Sequence, residues 1–304
     1  MQYRQAFANA MMDLATVDPR TVLVESDIAS PARQIFKDMT PCRFINTGIT
    51  EANAVGICAG LASEGYLPYW YTYGFLIGRA YDQIRQSITQ NHANVRMIGY
   101  NCGVNGVGGA SHNCVDDIGL MRLIPGMSIV VPADAHQTHE SLLSTRTHDG
   151  PIYFRFPRGE SFDVCASYLP FKLGRADIIN GGDNVTIVCN GPMVLKALEA
   201  TRLMPHKDDA EVIDVSTVKP LDSDTILKSA KKTGRVVVAE EHSVIGGLGD
   251  TVVSLLSRYC DIATVKIGVE DIFTQSGKGD LMAKYGLTSE AIVKACESLM
   301  EMKM

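Results

Sequence analysis

Short apolar segments alternate with longer amphipathic segments along the first 160 residues. Residues 3–16 place apolar side chains at helical spacing and the run TVLV follows them, which predicts a helix and then a strand. Further helices are predicted at about Glu51–Glu64 and Gly78–Gln90 and in DDIGLMRLI, and strands in FINTGI, LPYWYTY, VRMIGY, SIVVPA and IYFRF. Short apolar strands that alternate with helices are typical of a mostly parallel sheet covered on both faces.

A second set of the same kind begins near residue 184. Its predicted strands are NVTIVCNG, AEVIDVS, RVVVAEE and ATVKIGV, and its predicted helices are Met193–Leu203, Asp222–Lys232, Gly249–Tyr259 and about 288–301. The stretch between the two sets has little periodicity and lies between Gly159 and Gly182, which is typical of a linker. The sequence therefore predicts an α/β fold with two three-layer αβα domains, at 1–162 and 184–304, joined by a linker at 163–183.

Length and composition narrow the class of protein. A chain of 304 residues with 46 % apolar content can form two buried cores. A formal charge of −6 without a basic block argues against nucleic-acid binding. The eight cysteines form no CxxC pair, and no apolar run approaches the roughly 18 residues that span a bilayer. We therefore predict a cytoplasmic protein with no membrane segment.

One carboxylate stands out among the candidate chemical groups. Glu51 lies in the almost uncharged run GITEANAVGICAGLASEGY, and the ring-rich loop YWYTYGF follows. A carboxylic acid in apolar surroundings has a raised pKa and can act as an acid near neutral pH. The simpler interpretation is that Glu51 is an acid in the first turn of a helix and that the rings are ordinary strand packing.

The order of the segments favours the functional interpretation. The chain reads GITEANAVGICAGLASEG, GRAYDQIR, GVGGASH and IPGMSIVVPADA in that order, followed by PIYFRFPRG. This block resembles the pyrimidine-binding domain of the transketolase family and of its relative deoxyxylulose-phosphate synthase. TVKPLDSDTI, GRVVVAEEHSVIGGLG and FTQSGKGDLMAKYGL resemble the family's C-terminal domain, so the resemblance covers nearly the whole chain.

The resemblance implies roles for several residues. Glu51 matches the family residue that exchanges a proton with the aminopyrimidine of thiamine diphosphate. Phe75, or Tyr73 if the loop alignment shifts, matches the ring that stacks on the pyrimidine. His112 matches a histidine that faces the sugar substrate. A loop histidine satisfied by the backbone is the alternative for His112.

Three more residues match charged groups of the family site. Arg158 and Arg4 match arginines at the phosphate end of the substrate channel, where guanidinium groups bind oxyanions. Asp27 resembles a carboxylate on the cofactor side of a subunit interface. The alternatives are solvated surface arginines and a strand-end cap. We expect Arg79 and Asp82 to form structural ion pairs, and His242 to lie near an interface or in a solvated loop.

Two departures from the family pattern concern the substrate. Gly108 stands where family members commonly have an aspartate that contacts a donor hydroxyl, and Tyr100 replaces a family histidine. The loss of a carboxylate removes a hydroxyl acceptor and reduces repulsion of an anionic or deoxy substrate. We therefore expect an unusual ketose, a phosphate or other anionic sugar, as the donor.

The resemblance also implies a partner. The chain lacks the family's G-D-G with a downstream Asn, which binds Mg²⁺ (or Ca²⁺) and the cofactor diphosphate. The expected protein is the C-terminal subunit of a split transketolase, active only in an α2β2 heterotetramer with the subunit that carries that motif. The alternatives are the β subunit of a 2-oxoacid dehydrogenase E1 component, an enzyme that uses pyruvate as deoxyxylulose-phosphate synthase does, and a non-catalytic scaffolding subunit.

Overall fold

A computed structural model describes residues 1–104, 109–164, 170–206, 209–270 and 280–302. Its strands are β1 Thr21–Glu25, β2 Phe44–Asn46, β3 Leu67–Tyr73, β4 Arg96–Cys102, β5 Ser128–Val130, β6 Ile152–Pro157, β7 Asp177–Asn180, β8 Val185–Cys189, β9 Ala210–Asp214, β10 Thr217–Lys219, β11 Arg235–Ser243 and β12 Ala263–Val269. Its α-helices are α1 Tyr3–Val17, α2 Arg33–Met39, α3 Glu51–Ser63, α4 Tyr81–Gln83, α5 Asp117–Arg122, α6 Ala135–Ser144, α7 Met193–Leu203, α8 Ser223–Thr233, α9 Leu248–Tyr259, α10 Leu281–Lys284 and α11 Ser289–Glu301.

The strands form two sheets. The first has the order β10-β5-β6-β4-β3-β1-β2 and the second β12-β11-β8-β9-β7. Neighbouring strands are parallel except at one edge of each sheet, where β10 and β7 run antiparallel to their neighbours. Helices pack on both sheets through four clusters of buried apolar side chains. The predicted α/β fold with two helix-covered sheets is confirmed.

Three local features differ from the sequence prediction. The stretch predicted as a linker contains β7, which pairs with β9 through backbone hydrogen bonds that the side-chain pattern does not reveal. Strand β10 follows the second domain's β9 in sequence but adds to the first sheet beside β5. The predicted helix Gly78–Gln90 is composite, with a 3₁₀ segment at Gly74–Ala80, a single α-turn and a π-helical segment at Ile84–Thr89.

The two sheet units meet across a polar seam. Arg155 donates to the backbone oxygen of Glu241 at 2.8 Å, and Gln137 donates to the Asp214 carboxylate at 2.7 Å. His242 is fully buried and accepts the Gly119 N–H at 3.3 Å. The expectation of a solvated loop position for His242 was wrong, because strand β11 carries it into this seam.

Candidate active site

The carboxyl ends of the parallel strands of the first sheet bring the predicted site residues to one edge. Asp27 lies just beyond β1, the ring-rich loop follows β3, Tyr100 lies near the end of β4, and Arg158 follows β6. Ligands of open α/β sheets bind outside this edge because the loops there converge. Helix α3 starts at the same edge, which places Glu51 in its first turn.

Glu51 is enclosed and only partly satisfied. Its side chain is 1 % exposed, and its Oε2 lies 3.2 Å from Nη1 of Arg79, whose side chain is 59 % exposed. Its Oε1 is buried without a hydrogen-bond partner. The prediction of uncharged surroundings for Glu51 therefore missed one charged group. The 3₁₀ segment that follows the aromatic loop places the guanidinium of Arg79 beside the carboxylate. Burying a carboxylate oxygen without a hydrogen bond destabilises the folded protein. The unpaired oxygen therefore needs an explanation, such as a bound group.

The aromatic residues form a continuous ladder from the core to the loop. Tyr100 stacks against Tyr71 and Tyr73 with ring centroids 5.7 and 6.2 Å apart. Tyr73 stacks on Phe75 at 5.3 Å with the planes 15° apart. Both Tyr73 and Phe75 are half-buried, and their nearly parallel rings form a flat aromatic shelf that is partly exposed. Such a shelf suits a planar heterocycle.

His112 closes the outer end of the shelf. Its ring centroid lies 4.9 Å from that of Phe75, with the planes tilted by 57°. Its ring Nδ1 lies 3.0 Å from the Ser111 hydroxyl. Its backbone N–H donates to the carbonyl oxygen of Gly109 at the start of a short 3₁₀ turn. The histidine is half-buried. A side chain held beside the stacking rings is well placed for hydrogen bonding to a ligand.

The two predicted anion-binding arginines lie at the same end of the domain. The Arg4 guanidinium lies 5.9 Å above the centre of the Tyr100 ring, a cation–π arrangement. Arg158 is exposed immediately after β6. A backbone bridge between Gln2 and Glu160 joins the segments that carry the arginines. Arg4 thus lies beside the aromatic ladder at Tyr100, and Arg158 lies in the segment that pairs with the residues just before Arg4.

The last two predicted residues differ in what the structure says of them. Asp27 is exposed with φ +60°, and its N–H donates to the Asn46 side chain at 3.1 Å. Asp and Asn tolerate this left-handed backbone better than most residues. Asp27 thus lies in the turn just after β1, whereas the rings of the aromatic shelf follow β3. Gly108 lies outside the described residues.

A buried polar cluster, formed by Asp117, Tyr153 and Arg155, lies next to the segment that carries His112. Tyr153 donates to Asp117 at 2.7 Å, and Nε of Arg155 donates to the same carboxylate at 2.9 Å. Burial works against the charged form of Asp117, but Arg155, His242 and Tyr153 outweigh it and hold the pKa of Asp117 below its ordinary value. Arg155 also donates to the Cys114 carbonyl at 3.0 Å, two residues after His112.

Gly74, at the start of the 3₁₀ segment, packs directly against Cys102 and Cys114 beside this cluster. A Cβ at Gly74 would collide with the sulfur of Cys102 and lie 2.9 Å from that of Cys114, so the aromatic loop requires glycine there. Asn101 holds another constrained position, with φ +61° and a buried side chain that makes a weak 3.5 Å contact with the His112 carbonyl. Asn101 and the Asp117–Arg155 pair carry no local sequence signal, because the residues that meet there are distant in sequence. An ion pair was expected for Arg79, but its partner Glu51 was not.

The described residues contain one group with the spacing of metal ligands, formed by Cys102, Cys114 and Asp117. Thiols are poor ligands for Mg²⁺ or Ca²⁺, and the Asp117 carboxylate is already paired with Arg155. This group therefore does not suit the divalent cation that accompanies a diphosphate. Among the helices that the structure describes, none is long and apolar enough to cross a membrane.

Comparisons with known proteins agree with this geometry. The model of the transketolase pyrimidine-binding domain matches residues 1–162, and that of the transketolase C-terminal domain matches residues 174–292. A 6-deoxy-6-sulfo-D-fructose transketolase subunit from Clostridium sp. (strain MSTE9) is 36 % identical over 305 residues, which cover 99 % of this chain and 95 % of the relative. A 1-deoxy-D-xylulose-5-phosphate synthase from Desulfitobacterium hafniense (strain DSM 10664 / DCB-2) is 32 % identical over 98 % of this chain but 48 % of the relative.

A solved structure is similar over the full chain. A split-gene transketolase, described as an inactive β4 tetramer, superimposes with a TM-score of 0.92 at 37 % identity and covers 100 % of this chain and 99 % of that one. Fold and site together define a protein of the thiamine-diphosphate type, with a pyrimidine-binding domain and a C-terminal domain. The chain belongs to the transketolase family. It corresponds to a subunit of a split transketolase and has a transketolase-type transferase role, as the sequence predicted.

Family membership implies dependence on thiamine diphosphate, and the site residues fit that cofactor. Oε1 of Glu51 is a buried oxygen with no hydrogen-bond partner, and the half-buried rings of Tyr73 and Phe75 offer a flat apolar surface. These are the hydrogen-bond acceptor that a protonated ring nitrogen requires and the flat surface that a planar pyrimidine requires.

Proposed function

We propose that this chain supplies the pyrimidine half of an active site that transfers a two-carbon ketol unit from a ketose to an aldose. The observation that carries the proposal is the unpartnered Oε1 of Glu51 at the edge where the aromatic shelf lies. When bound, thiamine diphosphate supplies the carbanion chemistry. Glu51 exchanges a proton with pyrimidine N1′, Phe75 or Tyr73 stacks on the ring, and His112 hydrogen-bonds the sugar.

The other half of the site comes from a partner subunit. That subunit carries G-D-G with a downstream Asn and binds Mg²⁺ or Ca²⁺ together with the diphosphate. Asp27 lies on the cofactor side of the contact between subunits. We expect two copies of each subunit, an α2β2 heterotetramer, because the cofactor lies between chains and most oligomers are symmetric. The similar structure described as an inactive β4 tetramer supports a need for a second kind of subunit.

The donor is an anionic or deoxy ketose. Arg158 and Arg4 provide cationic groups for a phosphate or sulfonate, and Arg4 is oriented by its contact with Tyr100. Gly108 and Tyr100 remove a carboxylate and a histidine from the family's sugar pocket. The name of the Clostridium relative, which refers to a sulfonated deoxyketose, supports this substrate class.

Reconstitution with the partner subunit tests the proposal. The complex, loaded with thiamine diphosphate and Mg²⁺, is expected to release aldose from 6-deoxy-6-sulfo-D-fructose or D-fructose 6-phosphate over many turnovers only when an aldehyde acceptor is present to take up the two-carbon unit. Either subunit alone is expected to be inactive. A complex that binds no thiamine diphosphate would indicate a scaffolding subunit and overturn the proposal.

The same preparation separates the two rival activities. Carbon dioxide released from pyruvate in the presence of an aldose would identify an activity like that of 1-deoxy-D-xylulose-5-phosphate synthase, which is a relative of this chain over about half of its own length. Transfer of an acyl group from a 2-oxoacid to lipoamide would identify an E1 component. Ketol transfer without either product supports the proposed reaction.

A further inference from the structure

The pair between Glu51 and Arg79 is asymmetric in a way that an ordinary surface ion pair is not. The carboxylate is almost fully enclosed and the guanidinium is mostly exposed, at side-chain exposures of 1 % and 59 %. Nη1 of Arg79 approaches Oε2 only, which leaves Oε1 without a partner. The contact therefore distinguishes the two carboxylate oxygens.

The positions of both residues are fixed by the elements that carry them. Glu51 begins α3, and Arg79 lies in the 3₁₀ segment Gly74–Ala80, which also carries Phe75. That segment is anchored at Gly74 against the sulfurs of Cys102 and Cys114. The guanidinium and the stacking ring are thus delivered to the site by one short rigid segment.

We propose that Arg79 is a positioning residue for Glu51. It holds Oε2, so that Oε1 is left to face the pyrimidine. This inference rests on the proposed function, because it assigns Oε1 to the cofactor. Among the described residues, Glu51 is the acidic residue that forms a salt bridge with Arg79.

A cofactor-binding experiment on the reconstituted complex tests this role before any sugar is added. Replacement Arg79→Gln is expected to weaken thiamine diphosphate binding by about three- to tenfold, the range of an ion pair that is part buried and part exposed. The near-ultraviolet circular dichroism of the bound cofactor is expected to change as well, since it reports the protonation of the aminopyrimidine. Arg79→Lys should recover part of both signals because it restores charge but not the planar fork.

Two controls make the result specific. Arg85 lies in the π-helical segment of the composite helix and pairs with the exposed Asp82 at 2.9 Å, so Arg85→Gln matches the charge change without touching Glu51. It is expected to leave cofactor affinity unchanged. In a Glu51→Gln background, Arg79→Gln should have no further effect on affinity, because a double-mutant cycle isolates the pair.

The alternative roles of Arg79 give different results. If Arg79→Gln raises the KM for the donor and leaves cofactor affinity and the dichroism signal unchanged, the residue binds the sugar anion and the inference is overturned. Unchanged values throughout would make it a surface cation and overturn it equally. If the wild-type complex binds no thiamine diphosphate, the proposed function itself fails, which is a separate outcome.

Discussion

Two carboxylate–arginine pairs in the same domain illustrate different uses of one chemical arrangement. Asp117 and Arg155 are each 1 % exposed, and the hydroxyl of Tyr153 and two backbone carbonyls complete their hydrogen bonds. Glu51 is equally enclosed, but its Arg79 partner is open to solvent and one of its oxygens is unpaired. A saturated pair needs no further partner, whereas a buried carboxylate oxygen without a hydrogen bond calls for an explanation such as a bound group.

The difference follows from where the pairs sit in the sheet. Arg155 is in β6, flanked by β4 and β5, and reaches through the seam to β11. Glu51 is at the first residue of a helix, at the open edge beyond the strands. The position of Arg155 inside the layers brings Asp117 and the backbone carbonyls of Cys114 and Glu241 within hydrogen-bond distance. A position at the edge leaves one direction free.

The largest effect is expected from Glu51→Gln in the reconstituted complex. Loss of the proton-exchanging group should lower turnover by about 10⁴-fold, at the upper end for acid–base catalysis. The same change should not lower the melting temperature of the chain, because an amide is cheaper to bury than a carboxylate with an unpaired oxygen. Steady-state rates and thermal unfolding test both parts. Near-normal turnover would contradict the assignment.

The saturated pair should respond in the opposite way. Arg155→Met leaves the buried charge of Asp117 without its cation, and we expect a loss of about 3–5 kcal/mol in the free energy of unfolding. The double variant Asp117→Leu/Arg155→Met should regain much of this loss because no unpaired charge remains. Chemical denaturation provides the measurement. If the double variant is no more stable than the single one, the charge is not the cause.

The pH dependence of stability provides a further test of the Asp117–Arg155 pair. The pKa of Asp117 is lower in the folded protein than its unfolded value near 3.8, so its stabilisation is complete above that value. It is lost as the pH falls through the lower folded value, at about 1.4 kcal/mol per unit of pKa difference. Stability curves below pH 4 should therefore be flatter for Asp117→Asn than for the wild type. Parallel curves would show that other carboxyl groups dominate.

The shelf beside Glu51 offers a smaller test. Phe75→Ala should weaken thiamine diphosphate binding by about 0.5–1.5 kcal/mol, the value of an aromatic stack beyond its buried area. Tyr73→Ala serves as the matched variant, because the two rings stack on each other and the alignment of the loop allows either to contact the pyrimidine. Calorimetric titration of the reconstituted complex decides between them. A larger effect of Tyr73→Ala would reverse the order of choice.

The smallest effect is expected from the exposed pair of Asp82 and Arg85. Their side chains are 62 % and 43 % exposed, and exposed helical pairs contribute about 0.3–0.5 kcal/mol. Asp82→Asn should change the free energy of unfolding by no more than that and leave turnover unchanged. A clear loss of activity would place this part of the composite helix in the site.

Much of this organisation is readable in the chain itself. The α/β fold and the family follow from alternating apolar and amphipathic segments and from ordered motifs, because burial of strands on both faces and helices on one face requires those patterns. The roles of Glu51, His112, Arg158 and their neighbours stay predictions. Their placement at one sheet edge is nevertheless implied by parallel strands, whose carboxyl ends lie together.

Tertiary structure alone decided the rest. Strand β10 crosses to the first sheet and β7 joins the second, since backbone hydrogen bonding leaves no periodic mark on a segment of three or four residues. Arg79 and Glu51 are 28 positions apart in sequence and Asp117 and Arg155 are 38 apart, so no local pattern pairs them. The sequence determined which carboxylates exist and which helix or strand holds them. Packing determined which of them is saturated and which keeps an oxygen without a hydrogen-bond partner.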